Sequence, residues 1–258
     1  MPGRSLIRLA PFAALALAAA AASLPGARPA QAATLRVMAF GDSLTMGQGS
    51  THQAGYRLAF LERLRGAGYD VDMLGRYHHG PEGIDGDHEG YQGRGVAKLD
   101  EVSFGAIRRD HPDAILLMIG TNDAKSSTFQ PDAFRIRYSV LLDRFLAESK
   151  VRLVVSTIPP SRYGSPKRDR VKVAVNKVIR EEVEKQRAAG KRIALIDAYH
   201  LLDADADFAD TLHMDDEGYA KIGHAFADAL LELLAKFPPP PEAPAEEAGA
   251  PAAPAAAP

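Results

Sequence analysis

Short, uninterrupted apolar runs, each followed by a stretch of helical spacing, set the plan of this chain. Runs rich in Val, Ile and Leu occupy residues 35–40, 71–74, 114–119, 151–157 and 192–196. The stretches 56–65, 96–109, 132–148, 170–187 and 216–236 carry apolar residues at three- and four-residue intervals, as in Val171, Val175, Val178 and Ile179. A strand that is apolar at every position suits a parallel sheet covered on both faces. The alternation therefore predicts an α/β protein, an open, doubly wound sandwich with helices on both sides of the sheet. Ligands of such sheets bind beyond the carboxyl ends of the strands, and that rim is where chemistry is expected.

The two ends of the chain fall outside this pattern. Arg4 and Arg8 precede an Ala-rich apolar run, and Ala30-Gln31-Ala32 supplies a small-x-small site. Residues 1–32 are thus expected to be a secretory signal cleaved near Ala32, giving a secreted or periplasmic protein. The apolar run is short for a bilayer span of about 20 residues, so stable membrane insertion is not expected. Residues 238–258 hold little besides Pro, Ala and Glu and predict a disordered tail. Residues 33–237 suit one domain with a real core.

Composition narrows the possibilities further. The chain has no cysteine, so stability must come from packing, without disulfides or a thiolate metal site. A formal net charge of −2 gives no electrostatic case for nucleic acid as a partner.

Three clusters lie at the expected rim: Gly41-Asp42-Ser43-Leu44 after the first strand, Gly120-Thr121-Asn122-Asp123 after the third, and Asp210 to His213 before the last helix. Acyl transfer by a hydroxyl needs a base, a group that orients the base, and donors for the developing oxyanion. Ser43 can be the nucleophile, His213 the base and Asp210 its orienting acid. The Ser43 N–H, the Asn122 amide and a glycine N–H can form the oxyanion hole. Singly, each cluster has a simpler reading: Ser43 as a helix cap, the Gly120 segment as a turn, Asp210 and His213 as surface residues. Their joint occurrence favours chemistry.

These blocks resemble those of the SGNH (GDSL-type) hydrolase superfamily. The remaining block, an oxyanion glycine, corresponds to Gly93 in "DHEGYQGRGVAKL", a stretch similar to a segment of carbohydrate esterase family 3, the acetylxylan-esterase-like group. The resemblance implies a flavodoxin-like three-layer α/β/α fold with a five-stranded parallel sheet, ester hydrolysis through an acyl-serine, and no cofactor. It also implies Ser43, Asp210 and His213 as the triad and Ser43, Gly93 and Asn122 as the oxyanion hole. Arg94 departs from the family 3 segment, where an aromatic is expected. The substrate implied is a small-molecule or glycan ester, with deacetylation of a carbohydrate by a monomeric enzyme as the leading expectation. Alternatives are a lysophospholipase, thioesterase or arylesterase of the same superfamily, or a non-catalytic carbohydrate-binding protein on the same fold.

Asp42, Tyr91, Arg94 and Tyr163 are candidates for contacting substrate, or else ordinary loop residues. His78, His79, Asp85, Asp87, His88 and Glu89 form a dense group, and the glycines among them predict a mobile loop. Their spacing matches no helical two-histidine motif, so a catalytic metal is not expected; a structural cation suits their carboxylates better. The glycines after Phe40 lack the spacing of a dinucleotide loop.

Overall fold

The computed structural model describes residues 34–125, 129–162 and 166–238. The expected signal segment, residues 239–258 of the tail, and Tyr163 lie outside the described residues.

Among the described residues seven strands form one sheet: β1 (Leu35–Gly41), β2 (Val71–Leu74), β3 (Tyr77–His78), β4 (Asp87–Gly90), β5 (Ala114–Met118), β6 (Arg152–Ser156) and β7 (Ile193–Ile196). The five expected strands are present within a residue or so of their predicted bounds and pair in parallel in the order β2-β1-β5-β6-β7. Every residue of β5 and β6 is buried, as strands covered on both faces require.

The α-helices among the described residues are α1 (Ser43–Met46), α2 (Arg57–Gly66), α3 (Val96–Asp110), α4 (Pro131–Phe145), α5 (Pro166–Ala188), α6 (Ala198–Leu201) and α7 (Asp216–Lys236). They divide the core in two. Met38, Phe40, Ile115, Leu117, Leu153 and Val155 pack with residues of α3, α4 and α5. Val37, Ala39, Leu116, Met118 and Val154 pack with α2 and α7. Successive strand residues enter opposite cores because side chains alternate across a strand, and three layers result.

Two expectations need correction. The sheet has seven strands rather than five, and the glycine- and histidine-rich stretch is a β-hairpin rather than a mobile loop. The reason is an edge left open on β1. β2 covers only its first half, Leu35 to Met38, and β4 takes over the second, with Phe40 opposite Glu89 and Gly41 opposite Gly90. β3 then pairs antiparallel with β4. His88 and Glu89 are consequently fully buried.

Candidate active site

The Ser43 segment is set by the end of β1. A side chain at Gly41 would come within 2.3 Å of both the Met118 carbonyl oxygen and Thr45 Oγ1, so only glycine lets the chain turn here against β5. Asp42 then caps α1, its Oδ1 accepting from the Leu44 N–H at 3.0 Å. The capping residue is therefore Asp42, and Ser43 is the first helical residue. Its own N–H has no intrahelical acceptor, as is general at a helix start.

Ser43 Oγ lies 3.0 Å from His213 Nε2, although 170 positions separate the two residues in the chain. His213 Nδ1 lies 2.7 Å from Asp210 Oδ2. With Nδ1–H donating to the carboxylate, Nε2 is left to accept the serine proton. The turn that makes this possible is held by Asp210 itself: its Oδ1 accepts from the N–H groups of Leu212 (2.6 Å) and His213 (2.7 Å). A bridge between Phe208 and Met214 closes the base of the turn, and Asp215 caps α7 immediately after it.

Two straps join the imidazole side to the serine side. Thr51 donates through its N–H and Oγ1 to Asp216 at 2.8 and 2.6 Å, and Tyr219 donates to the Gln48 carbonyl at 2.7 Å. A third fixture lies beneath α1. Arg57, buried at 1% exposure, donates to the Thr45 carbonyl, to Gln53 O at 2.9 Å and to His79 O at 3.0 Å. Burial brings its pKa down to about 10. Nothing in the sequence pattern marks this arginine, which stands among apolar residues of α2.

The third side of the cleft is the turn from Tyr91 to Arg94. The Arg94 N–H donates to the Tyr91 carbonyl at 3.1 Å, and Gly93 takes φ +70°, the left-handed conformation that the third position of a type II turn requires. Asn122 faces this turn from the end of β5. Its Nδ2 donates to Asp42 Oδ2 (3.1 Å) and to the Arg94 carbonyl (3.0 Å), while its Oδ1 accepts from Lys125 Nζ at 3.1 Å. The amide thus directs one hydrogen to the Ser43 segment and the other to the turn. Asp123 accepts from the Val96 N–H through both carboxylate oxygens, at 3.3 and 3.1 Å, and so fixes the start of α3 behind the turn. Sequence reasoning assigned no part to Asp123 or Lys125; the latter's signal is its spacing of three from Asn122 in a short 3₁₀ turn.

Of the candidate substrate contacts, Tyr91 and Arg94 lie in this turn, with Tyr91 buried and Arg94 exposed. Asp42 is fully buried and hydrogen-bonded, which suits it to hold Asn122 rather than to meet substrate. Burial raises its pKa to about 7.

The acidic and histidine-rich group is committed to the protein itself. Asp85 accepts from the Met73 N–H at 2.6 Å, Asp87 pairs with His78 at 2.7 Å, and Glu89 binds Arg109, Arg76 and the Tyr91 hydroxyl. His88 Nδ1 accepts from the Gly90 N–H at 2.9 Å, and its Nε2 lies 2.8 Å from His79 Nδ1. Burial brings the His88 pKa down to about 2, so its ring stays neutral. Among the described residues no group of three or more His, Cys, Asp or Glu side chains could hold a metal ion.

A serine–imidazole–carboxylate line at the carboxyl ends of a parallel sheet belongs to the serine hydrolases as a class. The chain is a member of the GDSL-like lipase/acylhydrolase family, whose match spans residues 39–221. It is similar to a family 3 carbohydrate esterase of Clostridium thermocellum at 27% identity, with a TM-score of 0.68 over 79% of this chain and 98% of that one. A carbohydrate esterase family 3 protein from Talaromyces cellulolyticus, 24% identical, shares the fold with a TM-score of 0.65 over 79% of this chain and 99% of that one. A multidomain esterase of Ruminococcus flavefaciens is 28% identical over 228 residues, 77% of this chain. The chain spans 29% of that curated relative's length. Among the described residues no helix is long and apolar enough to cross a membrane.

Proposed function

We propose that this protein is an exported serine esterase that removes small acyl groups, acetyl foremost, from a carbohydrate. One observation carries the reading: the continuous contact from Ser43 Oγ through His213 to Asp210, at 3.0 and 2.7 Å. The carbohydrate part rests on the likeness to the family 3 esterase of C. thermocellum.

In this mechanism His213 Nε2 takes the Ser43 proton as Oγ bonds to the ester carbonyl carbon. The carbonyl π pair moves onto oxygen, giving a tetrahedral oxyanion, and Asp210 stabilises the imidazolium. The N–H groups of Ser43 and Gly93 and the Asn122 amide receive the oxyanion. Asn122 Nδ2 already serves the Arg94 carbonyl, so the oxyanion competes with a neutral acceptor and prevails because hydrogen bonds to charged oxygen are roughly twice as strong. The carbon–oxygen bond to the alcohol then breaks, and His213 protonates the leaving oxygen. Water, deprotonated by the same nitrogen, attacks the acyl-serine and releases the acid.

Asp210 suits the part electrostatically. Burial would raise its pKa, yet the N–H groups of His213 and Leu212 and the imidazole outweigh that and hold it below the usual carboxylate value. The test is rapid quenching with p-nitrophenyl acetate. An acetyl adduct on the peptide containing Ser43 is expected, and full turnover by the Ser43→Ala protein would end the proposal.

A further inference from the structure

Beside the nucleophile helix lies a cavity of about 550 Å³ that the mechanism does not use. Met46, one turn beyond Ser43 on α1, forms part of its wall. Arg76, Arg94 and Lys98 supply three cationic side chains, Tyr77 and Tyr91 supply aromatic surface, and among the described residues no Asp or Glu lines it.

The three cations are not equivalent. Arg76 is held by buried Glu89 (3.4 Å) and lies 5.8 Å from the centre of the Tyr91 ring, so it is fixed in place with its charge shared. Lys98 pairs with Glu101 at 2.7 Å on the surface of α3, a contact easily exchanged because exposed pairs contribute little. Arg94 forms no ion pair among the described residues, and its backbone is anchored by the turn that faces Asn122. The exposed guanidinium, with no carboxylate in ion-pair contact and only a longer-range attraction to Glu101, is poised for one from outside, since its planar fork matches a carboxylate in two parallel hydrogen bonds. Tyr77, 39% exposed and edge-on to Tyr91 at 5.7 Å, offers an apolar face to a sugar ring. The volume suits one or two sugar residues and, lined by charges, disfavours a long acyl chain.

We infer that this cavity is a subsite for an anionic sugar: the substrate is an O-acylated glycan bearing uronic acid carboxylates, and Arg94 with Lys98 reads that charge next to the ester. The inference rests on the esterase function proposed above and adds the charge of the alcohol portion.

The test compares acetate release from an acetylated, glucuronic-acid-bearing xylan with release from the same polymer after its carboxylates are reduced to alcohols. p-Nitrophenyl acetate serves as the uncharged standard. The full-length protein is expected to show a kcat/KM about fivefold higher on the carboxylate form at low salt, a ratio that falls toward one as screening shortens the reach of the charges. Arg94→Gln is expected to abolish most of that ratio and Lys98→Gln part of it; Lys98 is half-exposed on α3 and pairs with the exposed Glu101, so it tests the idea even where the first variant misfolds. Equal rates on both polymers, an unchanged ratio in both variants, or activity on p-nitrophenyl acetate with neither polymer hydrolysed overturns the inference and leaves the esterase standing. Preference for an anionic lysolipid ester over both polymers overturns it as well. Loss of activity on all substrates, with the protein folded, removes both proposals.

Discussion

Two aspartates flank the candidate nucleophile, and the protein treats them in opposite ways. Asp42 is wholly buried, accepts hydrogen bonds from the Leu44 N–H and the Asn122 amide, and is pushed up to about 7 by its removal from water. Asp210 has a side chain 52% exposed, accepts from two backbone N–H groups and the imidazole, and is held below its ordinary value. The contrast shows that burial and function need not coincide. The carboxylate that, in the proposed mechanism, must stay charged beside a developing imidazolium sits where water and N–H groups favour its charged form. The interior one serves architecture, joining the end of β1 to the end of β5.

That contrast can be broken or sharpened by substitution. The largest effect is expected at the base both sides depend on: His213→Ala should lower kcat on p-nitrophenyl acetate by about 10⁴-fold or more, as is usual for a residue of such a unit. Next comes Asn122→Ala, which removes the amide that Asp42 holds and should cost roughly 10²–10³ in turnover. Asp210→Asn is expected to cost about 10²-fold, below the loss of about 10⁴ typical of an enclosed triad acid, because solvent reaches this side chain and replaces part of its stabilisation. A loss equal to that of His213→Ala would erase the distinction drawn here.

The smallest effect is a pH dependence. Asp42 in the folded protein binds its proton more tightly than in the unfolded chain, 3.8 rising to about 7. The folded state therefore holds the extra proton between those values. The associated stability is complete below pH 4 and is lost as pH rises through 7, with a slope of at most about 1.4 kcal/mol per pH unit. Urea unfolding of Asp42→Asn across that range should show the slope reduced. An identical slope in the two proteins would mean that this carboxylate is ionised throughout.

The parts legible in the sequence are those governed by local pattern. The five expected strands and the helices that follow them show in apolar spacing, Ser43 and Asn122 show in short motifs after strands, and Asp210 and His213 in one before the last helix of the described residues. What escaped depends on partners distant in the chain. "DHEG" contains no β-branched residue and reads as a loop, yet it becomes β4 because β2 stops at Leu74 and leaves the second half of β1 unpaired. Arg57 carries no local mark, since its three acceptors come from Thr45, Gln53 and His79. Whether Ser43 is a helix cap also turns on a neighbour: Asp42 occupies the capping position.

The strap from Thr51 to Asp216 ties the first turn after β1 to the start of the last helix. If Ser43 and His213 act as proposed, the serine gains its base only once α7 and the turn before it have docked, so the return of turnover during refolding from urea can serve as a timer for that docking.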